Sequence, residues 1–352
     1  MKRRRWLSFC LTFLFAALIT VSCSQSPETT SSTPGEADSA TDAPVQLGYS
    51  NWAGWWPWAI GEAEGIFEAN GANVELKWFD GYLQSMETFA AGQLDANCQT
   101  LNDTISFAAG AVNGEVAVLV NDNSAGNDKI IVSAEINTIE DLKGKQIALE
   151  EGVVDDFLLT LALEEAGMSR DDVEIVGMDT GDAAAAFAAG KVDGVGAFPP
   201  FWLTALEREG SKELITSKEF PGAIPDLLVV SQKLIDERPD QVQALVNSWF
   251  DIRKFMEENP ERADEIMAEL AGVSTEEFQQ FKEGTQFFTV EDNLKAFSDG
   301  DSMEHMPFAA ERMAKFMVDV GFLEEDQVPD LDTVLDPQFV QAYAEEQGIE
   351  GA

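Results

Sequence analysis

The sequence predicts an α/β protein of two similar lobes, each a mainly parallel sheet flanked by helices, joined by two crossovers. Three observations predict it. From Val45 onward, short apolar runs alternate with helical patterns, as expected of parallel strands covered by helices. The segment Phe89-Ala90-Ala91-Gly92-Gln93-Leu94-Asp95-Ala96 recurs as Phe187-Ala188-Ala189-Gly190-Lys191-Val192-Asp193-Gly194, each time a helix end, a glycine at the left-handed cap position and entry into a strand. The alternating series also breaks twice, near residues 133 and 230, which places the two crossovers there.

The elements follow in chain order. Met1-Lys2-Arg3-Arg4-Arg5 is a positive block, followed by an apolar run from Trp6 to Ile19 and small residues up to Cys23: a secretory signal over 1–22. The run is shorter than the roughly 20 residues a spanning helix needs; a short signal anchor is the alternative. Ser24 to Pro44 is dominated by Ser, Thr, Pro, Ala, Gly, Asp and Glu, a flexible linker over 23–44. Val45 to Tyr49 reads as a strand, Pro57 to Glu64 as a helix opened by Pro and closed by Gly65, and Val74 to Phe79 as the next strand. A helix over Tyr82 to Ala91, a strand near Ala96 to Gln99 and a helix after Asp103 complete the first series. Lys129 to Ser133 is a strand closing the first part of lobe 1, and a second α/β series runs from Ile139 to about Ile215. Leu227 to Ser231 returns, followed by helices over 241–258, 261–271, 275–284 and 308–320. Lobe 1 is thus 45–133 plus 231–352, and lobe 2, over 134–230, is inserted into it.

Composition narrows the function. The chain carries 22 basic and 64 acidic residues, a net charge of −42. Nucleic acid is excluded as a partner and anionic lipid would be repelled; solubility or a salty habitat would also account for such acidity. Of the three cysteines, Cys10 leaves with the signal and Cys98 stands alone, so no internal disulfide forms once Cys23 is acylated. The single histidine, His305, builds no histidine metal cluster, and neither a metal site nor a cofactor is expected. No G-x-S-x-G, phosphate loop or dinucleotide fingerprint occurs, so an enzyme is not expected.

Asn51-Trp52-Ala53-Gly54-Trp55, Gly92-Gln93-Leu94-Asp95-Ala96, Thr138-Ile139-Glu140-Asp141-Leu142-Lys143-Gly144-Lys145 and Glu257-Glu258-Asn259-Pro260-Glu261 resemble the solute-binding components of ABC importers. The similarity is to the NMT1-like branch, which includes receptors for nitrate, taurine, aliphatic sulfonates and thiamine-pyrimidine precursors. It extends from Val45 to about Val320. Thr20-Val21-Ser22-Cys23 resembles a bacterial lipobox, with Thr20 where that pattern usually has Leu. The resemblance implies a two-lobed periplasmic-binding-protein fold (type II), closing on one small molecule. It also implies a permease and its ATPase as partners, a monomer, and lipid anchoring through Cys23 at the periplasmic face of the bacterial cytoplasmic membrane.

In open parallel sheets the binding crevice lies beyond the carboxyl ends of the strands. Five loops are therefore expected to line the cleft: Ser50 to Trp56, Asp80-Gly81, Thr100 to Asp103, Glu150 to Asp156, and Phe198 to Trp202. Half of the chain's eight Trp residues, Trp52, Trp55, Trp56 and Trp58, crowd into the short stretch formed by the first loop and the helix after it. Trp58 falls in the helix, whereas Trp52, Trp55 and Trp56 beside Asn51 either face the cleft or cover the core. Asp80, Asp103, Glu150, Glu151, Asp155 and Asp156 fall on these loops, and no Lys or Arg does. Asp80, Asp103 and Asp155 also precede helical patterns and would serve as N-caps. Indole faces and carboxylates together suit an organic cation such as guanidine. The candidate ligand-binding set is Asn51, Trp52, Trp55, Trp56, Asp80, Asp103, Glu151, Asp155, Phe198 and Trp202, with choline-like, polyamine and aminopyrimidine ligands next. A receptor for nitrate, taurine, sulfonate or a thiamine-pyrimidine precursor is the alternative. A pyrimidine-synthesising enzyme of the same superfamily, consuming His305 with iron, is the second, and a sensory ectodomain is a further one.

Overall fold

The computed structural model describes residues 43–349. The signal segment, Cys23 and nearly all of the linker lie outside the described residues. Eleven strands are described: β1 Val45–Tyr49, β2 Val74–Trp78, β3 Ala96–Thr100, β4 Val116–Ser124, β5 Lys129–Val132, β6 Gln146–Leu149, β7 Glu174–Gly177, β8 Gly194–Ala197, β9 Lys212–Thr216, β10 Pro225–Val230 and β11 Thr285–Phe287. They form two sheets, ordered β11-β4-β10-β3-β1-β2 and β7-β6-β8-β5-β9.

Each sheet has a parallel half and an antiparallel half. β1 runs parallel to β2 and β3, and β6 parallel to β7 and β8. β10 lies antiparallel between β3 and β4, and β5 antiparallel between β8 and β9. The sheets are therefore mixed, because the strand arriving from the other lobe enters against the local direction. This same insertion moves the lobe boundaries from the expected positions. β5, assigned from sequence to the first lobe, pairs in the second sheet, and β10, assigned to the second, pairs in the first. The crossings fall over 125–128 and 217–224.

The two crossings run side by side. The Ser217 amide donates to the Asp128 carbonyl at 2.9 Å, the Ser124 amide to the Ile224 carbonyl at 3.0 Å, and the Ser124 and Ser217 hydroxyls meet at 2.7 Å.

The repeated octapeptide marks equivalent positions in the two lobes. Gly92 and Gly190 hold φ of 74° and 70° at the ends of helices Tyr82–Ala90 and Thr180–Ala188. Asp95 then accepts from the Gln46 amide at 2.9 Å, and Asp193 from the Gln146 amide at 3.0 Å. Each contact ties the start of the central strand to the loop entering its neighbour.

Helices Pro239–Glu258 and Pro260–Ala271 begin with Pro where its missing N–H leaves no bond unmade. They cover the first sheet, with Trp58 sandwiched between Trp249 at 4.9 Å and Phe67 at 6.1 Å. Truncating such a ring to Ala costs about 3–5 kcal/mol. The acidic C-terminal stretch also joins this lobe: Leu335 bridges Ala117, and helix Gln338–Gln347 buries Phe339, Val340 and Ala344 and stacks Tyr343 on Phe250. No helix among the described residues is long and apolar enough to cross a membrane.

Candidate functional site

Where the strand ends of the two sheets face each other, a narrow cavity of about 10 Å³, room for one water-sized body, is lined by Asn51, Trp52, Trp55, Tyr82, Thr100, Asp128, Val154, Phe198 and Asp226. The first lobe, the second lobe and the first crossing all contribute. Asn51, Trp52 and Trp55 come from the turn after β1, Tyr82 opens the helix after β2, Val154 opens helix Val154–Glu165 after β6, and Phe198 follows β8. The aromatic rings pack into a wall, Trp55 lying 6.3 Å from Trp52 and 5.3 Å from Tyr82.

Behind this wall stand six buried carboxyl groups: Asp103, Asp122, Asp128, Glu150, Asp155 and Asp226. Asp103 is fully satisfied, accepting from the Tyr82 hydroxyl at 2.9 Å, the Thr100 hydroxyl at 2.8 Å and the Asn102 amide at 2.8 Å. Asp122 takes the Trp52 indole N–H at 3.1 Å. It fits there because position 54 is glycine: a Cβ on Gly54 would lie 1.6 Å from the Asp122 carboxylate. Asp122 and Asp226 are cross-strand partners, and the nearby Asp122 carboxyl helps to raise Asp226. Asp155 is fully buried, and neither of its carboxylate oxygens has a hydrogen-bond partner; one oxygen of Asp128, Glu150 and Asp226 is likewise unpartnered.

Burial dominates the electrostatics. It pushes Asp103 and Asp128 up to about 7 and Glu150 to about 8. Asp122, Asp155 and Asp226 are raised well above the ordinary carboxylate range by burial, with neighbouring acids adding to it at Asp155 and Asp226. Two cations reach the cluster, Lys129 lowering Asp128 and Arg253 lowering Asp122, and each also has a contact outside it. Lys129 pairs with Glu213 and lies 4.7 Å above the Trp202 ring, and Arg253 lies over Phe287 at 4.7 Å. An array of this kind accepts N–H donors and offers ring faces. An anion 4 Å from one ionised carboxylate would meet about 4 kcal/mol of repulsion at an effective dielectric of 20.

The residues expected from sequence divide. Asn51, Trp52, Trp55 and Phe198 line the cavity, and Asp103 and Asp155 are buried in the carboxyl group cluster. Trp56 packs between Phe278 at 6.0 Å and Phe281 at 5.8 Å, in the core. Trp202 packs edge-on to Phe281 at 5.1 Å. Asp80 is exposed and accepts from the Trp78 indole at 3.0 Å. Glu151 is exposed and paired at 2.8 Å with Arg170, which also binds Asp156, so a cation does reach this loop. The expected N-caps fall elsewhere: Gly81, Thr100 and Val153 hold those positions, while Asp103 and Asp155 sit inside the first turns. His305 lies against Gly300 and the Ser298 carbonyl, outside the cavity lining.

Sequence reasoning passed over Tyr82, Asp122, Asp128 and Asp226. A signal existed for two of them. Asp122 stands two residues beyond the apolar run Val116-Ala117-Val118-Leu119-Val120, and Asp226 directly precedes the run Leu227-Leu228-Val229-Val230. A carboxylate at the end of a strand buried on both faces needs a purpose.

Comparison with known proteins agrees with the architecture. A putative binding protein of Brucella abortus is 27% identical over 305 residues, covering 85% of this chain and 88% of that protein. The taurine-binding periplasmic protein of Escherichia coli is 27% identical over 227 residues, 62% of this chain and 69% of that one. The alkanesulfonate-binding protein of Xanthomonas axonopodis, solved with MOPS, superposes with a TM-score of 0.67 at 16% identity, covering 85% of this chain and 99% of that one. The model of the NMT1-like family matches residues 38–271, and the chain belongs to that family.

Proposed function

We propose that the protein is the solute-binding component of an ABC importer and that it captures a small planar organic cation of the guanidinium class between its lobes. Asp128 and Asp226 carry this reading: both line the cavity walled by Trp52, Trp55 and Tyr82, each with one buried carboxylate oxygen that lacks a donor, and Asp155, whose two oxygens both lack one, feels the charge of Asp128. A guanidinium presents N–H pairs in the plane that a carboxylate accepts and a π-face that an indole accepts. Relatives named as binding proteins, one of them periplasmic, support export and capture rather than catalysis. Lipid anchoring through Cys23 belongs to the same proposal.

The second reading, a taurine or sulfonate receptor, is favoured by the names of the relatives. It requires a sulfonate to enter a cavity whose lining includes Asp128 and Asp226 and no Lys or Arg. Isothermal titration against guanidinium, taurine and nitrate separates the two. Guanidinium should bind, with Asp155→Asn weakening it at least tenfold and the exposed Asp80→Asn leaving it within twofold. Heat from taurine or nitrate, with none from guanidinium, would end the cation reading.

A further inference from the structure

A second cavity, of about 140 Å³, lies where the second crossing meets the first lobe. Its floor is set by the pairing of three strands. Asn123 of β4 stands opposite Pro225 of β10 on one side and Gln286 of β11 on the other, and all three line the cavity. Cross-strand neighbours share a face of the sheet, and the next residue along each strand points the other way. Asp226 accordingly lines the cavity between the lobes, and its partner Asp122 holds the Trp52 indole there. β4 carries one residue more than β10 at this point, since Leu227 pairs with Val120 and Asp226 with Asp122. That extra residue brings Val120 onto the same face as Asn123. The crossing supplies the side wall through Pro221 and Gly222. Gly222, at φ of 77°, lies so close to the loop before helix Met306–Asp319 that a Cβ would stand 2.8 Å from the Met303 carbonyl oxygen. Phe288, Met303 and Met306 complete the apolar lining.

One buried atom of this lining lacks a partner. Asn123 is 6% exposed, and its side-chain Nδ2 donates to the Ser124 carbonyl at 2.8 Å, while its Oδ1 accepts from nothing. A buried acceptor without a donor keeps the full cost of its lost hydration. The charged groups of the rim are engaged with each other or with the backbone. Lys295 pairs with Glu304 at 2.9 Å, and Asp292 accepts from the Thr289 amide at 3.0 Å and its hydroxyl at 2.9 Å. What stays open is a neutral acceptor among apolar walls. A cavity of roughly 150 Å³ holds one benzene ring, and methionine sulfurs make favourable contacts with such rings.

We propose that this cavity is a second small-molecule site, taking a neutral one-ring aromatic molecule that carries an O–H or N–H donor. The donor meets Asn123 Oδ1, and the ring lies against Phe288, Met303 and Met306. The site shares no lining residue with the cavity between the lobes, so it stands or falls apart from what is captured there.

The probes are phenol and toluene, which have nearly the same shape and differ in the donor. Methyl signals of ¹³C-methionine are followed by NMR in the full chain, with Met303→Leu and Met306→Leu assigning the two that matter. Phenol should move both signals saturably, and toluene should bind at least threefold more weakly, the value of one hydrogen bond. Asn123→Leu removes the acceptor and keeps the bulk, so phenol and toluene should then bind within twofold of each other. Ala296→Leu, at a buried position of the lining, fills the cavity and should weaken both probes at least tenfold. Near-ultraviolet circular dichroism confirms that each variant is folded. Phenol that leaves Met303 and Met306 unmoved, or moves them without saturating, overturns the site. Equal affinity for the two probes in the unaltered protein, or a preference for phenol that survives Asn123→Leu, overturns the assignment of Asn123 as its acceptor and the donor-bearing class with it.

Discussion

At the scale of single residues, the site is defined by acids that the fold holds in an unfavourable charge state. Asp103 and Asp128 are pushed up to about 7 and Glu150 to about 8, mainly by burial. An acid raised in the folded state holds a proton that the unfolded chain has already released. Its contribution to stability is therefore fully present below about pH 4 and is lost as pH rises through 7 to 8. The empty protein should melt at progressively lower temperature between pH 5 and pH 8. A cation requires the ionised carboxylates, so its effect runs the other way, and guanidinium should raise the melting temperature more at pH 8 than at pH 5. Thermal melts with and without guanidinium across this range check both slopes. A melting temperature that climbs with pH in the empty protein would contradict the burial of these groups. An increment independent of pH would mean that the ligand does not touch them.

At the scale of elements, the parallel strands of the first sheet were legible one by one, those of the second only as an α/β series, and the two crossings were expected several residues too late. β1, β2 and β3 alternate with helices closed by Gly65 and Gly92, and such punctuation survives in a single sequence. β5 and β10 are buried at every position, so no alternation tells which sheet they join. The same gap explains which site residues were found. Trp52, Trp55 and Phe198 follow strands that run toward the cleft, where the carboxyl-end rule applies. Asp226 sits at the amino end of an antiparallel strand and Asp128 on the crossing itself, where that rule is silent. Trp56 was misplaced because adjacent indoles in one turn point to opposite sides, one to the cavity and one to Phe278 and Phe281. The turn also fixes one glycine. Since a Cβ at 54 would overlap the Asp122 carboxylate, Gly54→Ala should destabilise by about 2–4 kcal/mol in urea unfolding, comparable with overpacking a core. Gly65→Ala meets open space and carries only the strain of φ at 69°, about 1 kcal/mol. Equal losses at the two sites would show that the Asp122 seat is not the constraint.

At the scale of the whole molecule, a net charge of −42 surrounds a cavity that is itself acidic. The two facts act at different ranges. Contacts inside the closed cleft are shielded from salt, whereas the field that a diffusing ligand crosses is screened over a Debye length of about 8 Å at physiological ionic strength. A cation should therefore be steered inward at low salt, and an anion turned away. Stopped-flow tryptophan fluorescence reads the encounter directly, because Trp52 and Trp55 line the cavity. The guanidinium association rate should fall at least threefold between about 10 mM and 500 mM salt, with dissociation changing far less. Reversal of that slope, with association quickening as salt is added, is the signature of an anion overcoming repulsion and would return the protein to the sulfonate and nitrate receptors. A flat slope would confine the acidity to solubility and leave Asp155 and the indole wall to account for selection alone.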